Sequence, residues 1–295
     1  MLLPIFRENS FGNLAFRAER AFFFAIFSRG ARIAGWGRMS AMIIRPQQME
    51  AFQETVHSQF EEQMAAHVQR LAPELASAAK HEGVRVFVGS TIAAAHDAGF
   101  HNRECVRFFV ESALVLGHRF ATDPQYPWAQ EIIGDPELTD EDLRADILWR
   151  YVSDYLGAVV GPEQAFARAA LGRLEEWLGP ETYRPSTFHP DYILDIIKNC
   201  YPEKYGYVGR LQLQLLVSRA AKIGMNFGQR PSNAAPLLTL VMICFGHGAA
   251  DDPLYPLVSE ALANSALAPA EKRLQYLYDR TRVYLRRVAS NWAKG

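Results

Sequence analysis

Two short segments of the chain place a histidine five residues before an aspartate. The first reads GHRFATDPQYP and contains His118 and Asp123, and the second reads GHGAADDPLYP and contains His247 and Asp252. Imidazole and carboxylate groups are able to act together as a general acid–base pair, and both groups also bind zinc. These four residues are therefore the candidates for contacts with a ligand or a partner.

The same segments also have a structural interpretation, which we prefer. Gly117 and Gly246 stand where a helix would end, in a conformation that costs glycine little. The Asp-Pro pair favours a turn, because the aspartate side chain bonds to nearby backbone amides and proline fixes φ. Trp128 follows the first segment and would bring a large ring to the core. On this interpretation His118 is at least partly exposed, and its removal is nearly neutral for stability.

The two segments belong to a longer internal repeat. Seven of their eleven positions are identical without a gap, at an offset of 129 residues. The same offset pairs Pro73 with Pro202 and Tyr155 with Tyr284, so the register is constant over more than eighty residues. A constant register over this length predicts a tandem duplication.

The repeat divides the chain into four parts. We expect a first helical unit over residues 42–160, a linker helix and loop over 161–188, and a second unit over 189–295. Residues 1–41 differ from the rest, since they contain six arginines against two glutamates around the apolar patch AFFFAIF. We expect this leader to be disordered or to reflect an over-extended gene start. Contact of a basic amphipathic segment with a membrane surface is the alternative.

Hydrophobic periodicity predicts an all-α fold, with two tandemly duplicated helical units packed into one compact body. Apolar residues recur every four positions from Phe52 to Val68, which indicates a long amphipathic helix. The segment from Asn102 to Gly117 is apolar nearly all round, and so is its counterpart Leu237–Phe245. Both segments are therefore expected to form central, buried helices.

The ends of the helices carry further signals. Pro73 suits a first helical turn, Gly99 predicts a left-handed C-cap, and Thr139 is expected to cap the last helix of the first unit. Val84–Val88 alternates weakly, as a strand would. Its counterpart Leu211–Val217 continues into helix-like sequence, so both are predicted to be helical.

Composition and charge narrow the classes of function. The net charge of −1 and the pI near 6.7 argue against a nucleic-acid-binding protein. No apolar run approaches the ~18 residues of a membrane span. Cys105, Cys200 and Cys244 show no CxxC spacing, which argues against a disulfide framework and a zinc site and fits a reducing cytoplasm. We therefore expect a cytoplasmic protein with buried cysteines, no metal and no cofactor.

One further carboxylate falls in the apolar central helix. Glu111 lies seven residues before His118 and would need a buried partner. The candidates are Arg85, Arg107 and His96. The offset places Leu240 at the equivalent position, so a site there would be single. A structural ion pair is the interpretation we prefer. The chain contains no phosphate-binding loop and no GxSxG nucleophile motif.

The stretch RECVRFFVESALVLGHRFATDPQYPWAQEIIGD resembles a group of small, all-helical, uncharacterised bacterial proteins. Their shared pattern is an apolar helix, then FG, a short acidic stretch, DP, two residues and PW. The residues that match it are Gly117, Asp123, Pro124, Pro127 and Trp128. The pattern's Phe is replaced by Leu116, while the second copy keeps Phe245 but has Leu257 for Trp. The group is associated with genes for type VI secretion tips and toxic effectors, so the resemblance implies an immunity protein or a chaperone.

Two kinds of function follow as expectations. The first is a non-enzymatic cytoplasmic protein-binding factor, an immunity protein or chaperone/adaptor for a secreted bacterial toxin, because helical repeats present broad faces and grooves. The second is a small-molecule-binding protein or enzyme with a pocket near the His118/Asp123 loop. A protein whose two halves only stabilise each other is a further alternative.

Overall fold

Helices form all the regular structure of the chain that the computed structural model describes, which is residues 46–179 and 189–293. No strand occurs in these residues, and the all-α prediction is confirmed. Their α-helices, in chain order, are α1 (Pro46–Leu71), α2 (Pro73–Asp97), α3 (Arg103–Leu116), α4 (Pro127–Gly134), α5 (Glu141–Val159), α6 (Ala165–Trp177), α7 (Pro190–Cys200), α8 (Pro202–Val208), α9 (Arg210–Asn226), α10 (Pro231–Phe245), α11 (Pro256–Ala263) and α12 (Ala270–Ala293). The expected leader, 1–41, lies outside the described residues.

The helix order repeats at the offset found in the sequence. Helices α3, α4 and α5 correspond to α10, α11 and α12, and α4 and α11 begin and end at equivalent positions. Helix α2 corresponds to α8 and α9 together. It breaks at Lys80, where φ is +60°, and α8 and α9 meet at the equivalent Gly209, where φ is +83°. The halves therefore match in helix order, while their origin by duplication stays a prediction.

The two central helices lie at the middle of one shared core. Every residue of α3 from Cys105 to Leu116 is buried except Arg107, and every residue of α10 from Ala234 to Phe245 is buried. Buried side chains of both halves form a single cluster, into which the linker helix α6 also packs. A helix that is apolar all round is stable only in such a position. The expected central role of both segments is confirmed.

Capping residues determine where several of the helices begin and end. The Asn102 side chain accepts a hydrogen bond from the Glu104 amide and caps α3. Gly99 has φ +78° and ends α2 as the left-handed residue that was predicted. The prediction for Thr139 is wrong, because Asp140 caps α5 and accepts hydrogen bonds from two amides of its first turn.

The remaining general predictions concern cysteines and membrane spans. Cys105, Cys200 and Cys244 are all buried and form no disulfide, as expected. Within residues 46–179 and 189–293 no helix has both the length and the apolar character needed to cross a bilayer.

Candidate functional site

The two Asp-Pro loops, which follow the central helices, pack against each other at the boundary of the halves. Asp123 Oδ2 accepts a hydrogen bond from the His247 backbone amide at 2.7 Å, and Asp252 Oδ2 accepts one from the His118 amide at 3.4 Å. Each loop therefore donates an amide to the carboxylate of the other. All four of these residues are buried.

The other oxygen of each carboxylate holds its own turn. Asp123 Oδ1 accepts from the Gln125 amide and Asp252 Oδ1 accepts from the Leu254 amide, both at 2.9 Å. These contacts confirm the predicted turn, in which aspartate bonds to the backbone two residues ahead. The Gln125 side chain adds a further bond, since its Nε2 donates to Asp123 Oδ2 at 3.0 Å.

Two glycines make the close approach of the loops possible. Gly117 has φ +106° and Gly246 has φ +88°, and both directly follow the central helices. A Cβ atom on Gly117 would lie 2.4 Å from the Phe245 carbonyl oxygen and 2.9 Å from Gly246 Cα. Glycine is required here both for its backbone conformation and for the space that it leaves to the facing loop.

Both imidazoles are enclosed by the same packing. The expectation that His118 is partly exposed is wrong: the residue is only 8% exposed, and its ring packs against Phe87. Burial, followed by the charge of Arg119, lowers the pKa of His118 to about 4, so the ring is neutral at pH 7. Burial also lowers the pKa of His247. Its Nε2 donates to the Arg119 carbonyl at 2.9 Å, which leaves Nδ1 to accept from the Arg219 guanidinium.

This geometry does not assemble an acid–base pair from the candidate residues. The carboxylates of Asp123 and Asp252 are bonded to backbone amides, and the His247 imidazole is bonded to a carbonyl and a guanidinium. General acid–base catalysis needs a group within hydrogen-bond reach of a substrate proton. The two Asp-Pro loops therefore form a buried, hydrogen-bonded junction between the two halves.

The junction also includes a lysine that the sequence analysis missed. Lys204 is buried, and its Nζ donates to the Ile243 carbonyl at 2.7 Å beside Tyr155. Burial lowers the pKa of Lys204 to about 8, although the Asp123 carboxylate opposes the shift. The offset pairs Lys204 with Leu75, a core residue of the first half. A charged residue at the position equivalent to a core leucine was the signal that could have identified it.

Replacing Lys204 with methionine should change how stability depends on pH. The folded-state pKa near 8 lies below the unfolded value of about 10.5, so burial costs about 3 kcal/mol of stability below pH 8. This cost falls as pH rises from about 8 to 10.5, because only the folded state loses its proton there. Lys204→Met lacks the cost, although it also loses the bond to Ile243.

Chemical denaturation of both proteins across this pH range measures the difference in their free energies of unfolding. The advantage of Lys204→Met should shrink by about 3 kcal/mol as pH rises. The same subtraction cancels the titration of the cysteines and tyrosines that Lys204 does not influence; the exception is Cys244, whose pKa the Lys204 charge lowers. A difference that stays constant with pH would show that Lys204 titrates normally in the folded state.

The buried carboxylate of the first central helix has two partners, of which His67 is buried and Arg107 is partly exposed. Glu111 Oε1 lies 2.6 Å from His67 Nε2 and accepts from Arg107 Nε at 2.9 Å. Arg107 was among the predicted partners, and His67 was not. Arg85 instead lies 3.4 Å from Glu62. The predicted structural ion pair is therefore confirmed, with one of its members corrected.

Histidines also gather at one end of the first half. The ring centroids of His57 and His96 are 6.3 Å apart, and those of His96 and His101 are 5.5 Å apart. They line an open pocket of about 230 Å³ together with Phe60 and Arg103. In the part of the chain that the structure describes, no three His, Cys, Asp or Glu side chains are placed to hold a metal ion.

An open groove lies beside the first Asp-Pro loop. It has a volume of about 640 Å³ and runs between α9 on one side and the loop and α4 on the other. Its lining residues are Thr122, Pro124, Pro127, Gln130, Glu131, Gln212, Leu215, Ser218, Arg219 and Lys222. The equivalent groove at the second Asp-Pro loop is closed, because α2 packs directly against that loop. A Cβ on Gly83 would lie 2.9 Å from the Pro253 carbonyl oxygen. The groove therefore distinguishes the two halves.

Comparison with known proteins does not identify the chain. No protein-family model matches it, and neither curated proteins nor solved structures give a significant match.

Proposed function

We propose that this chain is a non-enzymatic, cytoplasmic protein-binding factor that holds a segment of its partner in the groove between α9 and the first Asp-Pro loop. The observation that carries the proposal is the groove itself, which is open in one half and closed in the other. Gln212 lines the open side, whereas its counterpart Gly83 lies against Pro253. A surface left open by only one of two matched halves favours a binding role.

The chemistry of the groove defines the partner segment. Leu215 lines the groove and is 56% exposed, and Leu211, one turn earlier on α9 and outside the groove lining, is 75% exposed. Burying exposed apolar surface contributes roughly 25 cal/mol per Å², so these leucines favour an apolar partner face. Arg219 and Lys222 follow on the same helix and outnumber the single acid, Glu131. The best-matched partner is an amphipathic segment with acidic residues at one end.

The resemblance to proteins encoded near type VI secretion genes supports the class of partner. On that basis the partner is a secreted bacterial toxin or effector, and the chain is its immunity protein or its chaperone/adaptor. Gene context tests this part directly. A toxin or secretion gene next to the gene for this chain supports it, and the absence of any such gene nearby counts against it.

A second function has one observation in its favour. The groove lies beside the His118/Asp123 loop, and its volume of about 640 Å³ is within the range of small-molecule sites. The alternative of a small-molecule-binding protein or enzyme with a pocket at this loop therefore stands. It is less well supported, because both residues are buried and Asp123 is bonded to the other loop.

Substitution of Leu215 by glutamate should weaken the partner complex without unfolding the protein. The side chain is exposed, so the change in folding stability should stay within about 0.5 kcal/mol. A buried charge facing an apolar partner should raise the dissociation constant by at least about tenfold. The measurement is a calorimetric titration with the purified toxin encoded beside the gene.

The matched control is Val86→Glu. Val86 occupies the equivalent position on α2 and is 49% exposed, but the groove between α2 and the second Asp-Pro loop is closed. It should leave the titration unchanged. Equal binding by Leu215→Glu, Val86→Glu and the wild type would remove the groove as the partner site.

A further inference from the structure

A second pocket lies where the second half lacks rings that the first half has. In the first half Trp128 stacks on Tyr151, with centroids 5.7 Å apart, and Tyr207, which reaches over from α8 of the second unit, packs edge-on against Tyr155 at 5.3 Å. The equivalent positions, which are 129 residues away in the sequence, carry non-aromatic side chains instead of these three rings. The replacements for Trp128, Tyr151 and Tyr207 are Leu257, Arg280 and Ala78 respectively.

The space that these changes leave is a pocket of about 370 Å³. Tyr255 and Tyr284 form its floor and keep the edge-on arrangement of their counterparts, with centroids 6.3 Å apart. Leu257 and Val283 add apolar walls, and Ala78 from α2 closes one side. The pocket therefore lies where the equivalent position around Tyr126 and Tyr155 is filled by the rings of Trp128 and Tyr207.

Two arginines give the pocket a positive charge. Arg280 and Arg287 both line it, and their guanidinium carbons lie 6.0 Å from the Tyr276 ring and 5.6 Å from the Tyr284 ring. Neither forms an ion pair with the residues described here, and the one acid in the lining is Glu260. The counterparts of the two arginines are Tyr151 and Ala158, so the first half has no charge at these positions.

We propose that this pocket binds a small aromatic carboxylate. The ring would fill the space left where Leu257 and Ala78 stand in place of Trp128 and Tyr207, and it would pack on Tyr255 and Tyr284. The carboxylate would accept charge-assisted hydrogen bonds from Arg280 and Arg287, for which the fork of guanidinium donors is well suited. This site is separate from the groove on α9, and the proposal does not depend on the function argued above.

The test uses the full chain and indole-3-acetate as the probe, with its neutral isostere indole-3-acetamide. Calorimetry or ligand-observed NMR should show binding of the acid, about tenfold or more in preference to the amide. Arg287→Gln should abolish that preference. Arg150→Gln, which removes the same charge at an exposed position of α5, should leave binding unchanged.

Filling the pocket gives a second, independent test. Leu257→Trp restores the ring of the first half and keeps both arginines, so it should abolish binding while leaving the protein folded. Should Leu257→Trp fail to fold, Ala78→Tyr fills the same pocket from the exposed face of α2. Undiminished binding in the filled variant, or equal binding of acid and amide, would overturn the proposal.

The same titrations separate a free ligand from a protein partner. No response to the free acid up to millimolar concentration overturns the proposal. Binding of an acetylated peptide with a Trp-Asp pair, without binding of the free acid, overturns it equally and assigns the pocket to a protein.

Discussion

Replacing Gly117 with alanine should lower the free energy of unfolding by about 3 kcal/mol or more. Its φ of +106° is accessible to glycine but costs other residues roughly 1–2 kcal/mol. The new Cβ would also lie 2.4 Å from the Phe245 carbonyl oxygen, a backbone atom that cannot turn aside. Overpacking of this kind costs about 1–3 kcal/mol. The loops would have to separate, which would stretch the bond between Asp123 and the His247 amide.

Denaturant unfolding at constant pH measures this effect, and Gly157→Ala is its control. Gly157 lies inside α5 with open space at the position of a Cβ, so alanine there should stabilise the protein by about 0.5–1 kcal/mol. Opposite signs for the two variants would establish that the loss at Gly117 comes from the junction. A loss below about 1 kcal/mol at Gly117 would contradict the close crossing of the loops.

The local part of this junction is predictable from the sequence, and the long-range part is not. Aspartate before proline predicts a turn in any context, and the Asp123–Gln125 and Asp252–Leu254 bonds bear this out. Their second oxygens bond to the other loop. A sequence repeat does not predict which surfaces of its two copies pack together. The same local sequence is compatible with two separate units and with two units that interlock. For the same reason the burial of His118 was missed.

The differences between the halves were harder to predict than their common helices. Periodicity and end signals identify α3 and α10 because those signals are local. The groove on α9 depends on how closely a helix approaches a loop, and a change from Gly83 to Gln212 gives no sign of this without the packing. Lys204 illustrates the same limit, since a lone lysine after Pro-Glu is typical of an exposed first turn. Only the comparison with Leu75 marks its position as core.

Removing the indole of Trp128 is the other change with a large expected effect. Trp128→Ala should lower the free energy of unfolding by about 3–5 kcal/mol, through lost burial and the cavity that remains. The side chain is only 7% exposed and packs on the rings of Tyr126 and Tyr151. Its Nε1 has no hydrogen-bond partner among residues 46–179 and 189–293, so the loss is one of packing. Trp128→Phe keeps an aromatic ring in the stack and should recover most of the stability.

The matched control is the equivalent position of the second half, where Leu257 borders the aromatic pocket and is only partly buried. Leu257→Ala should cost less than the ~2 kcal/mol that marks the low end for a buried leucine. Melting curves and titrations with the proposed protein partner on the same variants then separate structure from function. Loss of partner binding in proportion to the loss of stability is expected if Trp128 only anchors the core. A Trp128→Ala protein that melts like the wild type but no longer binds would instead place this ring in the partner interface.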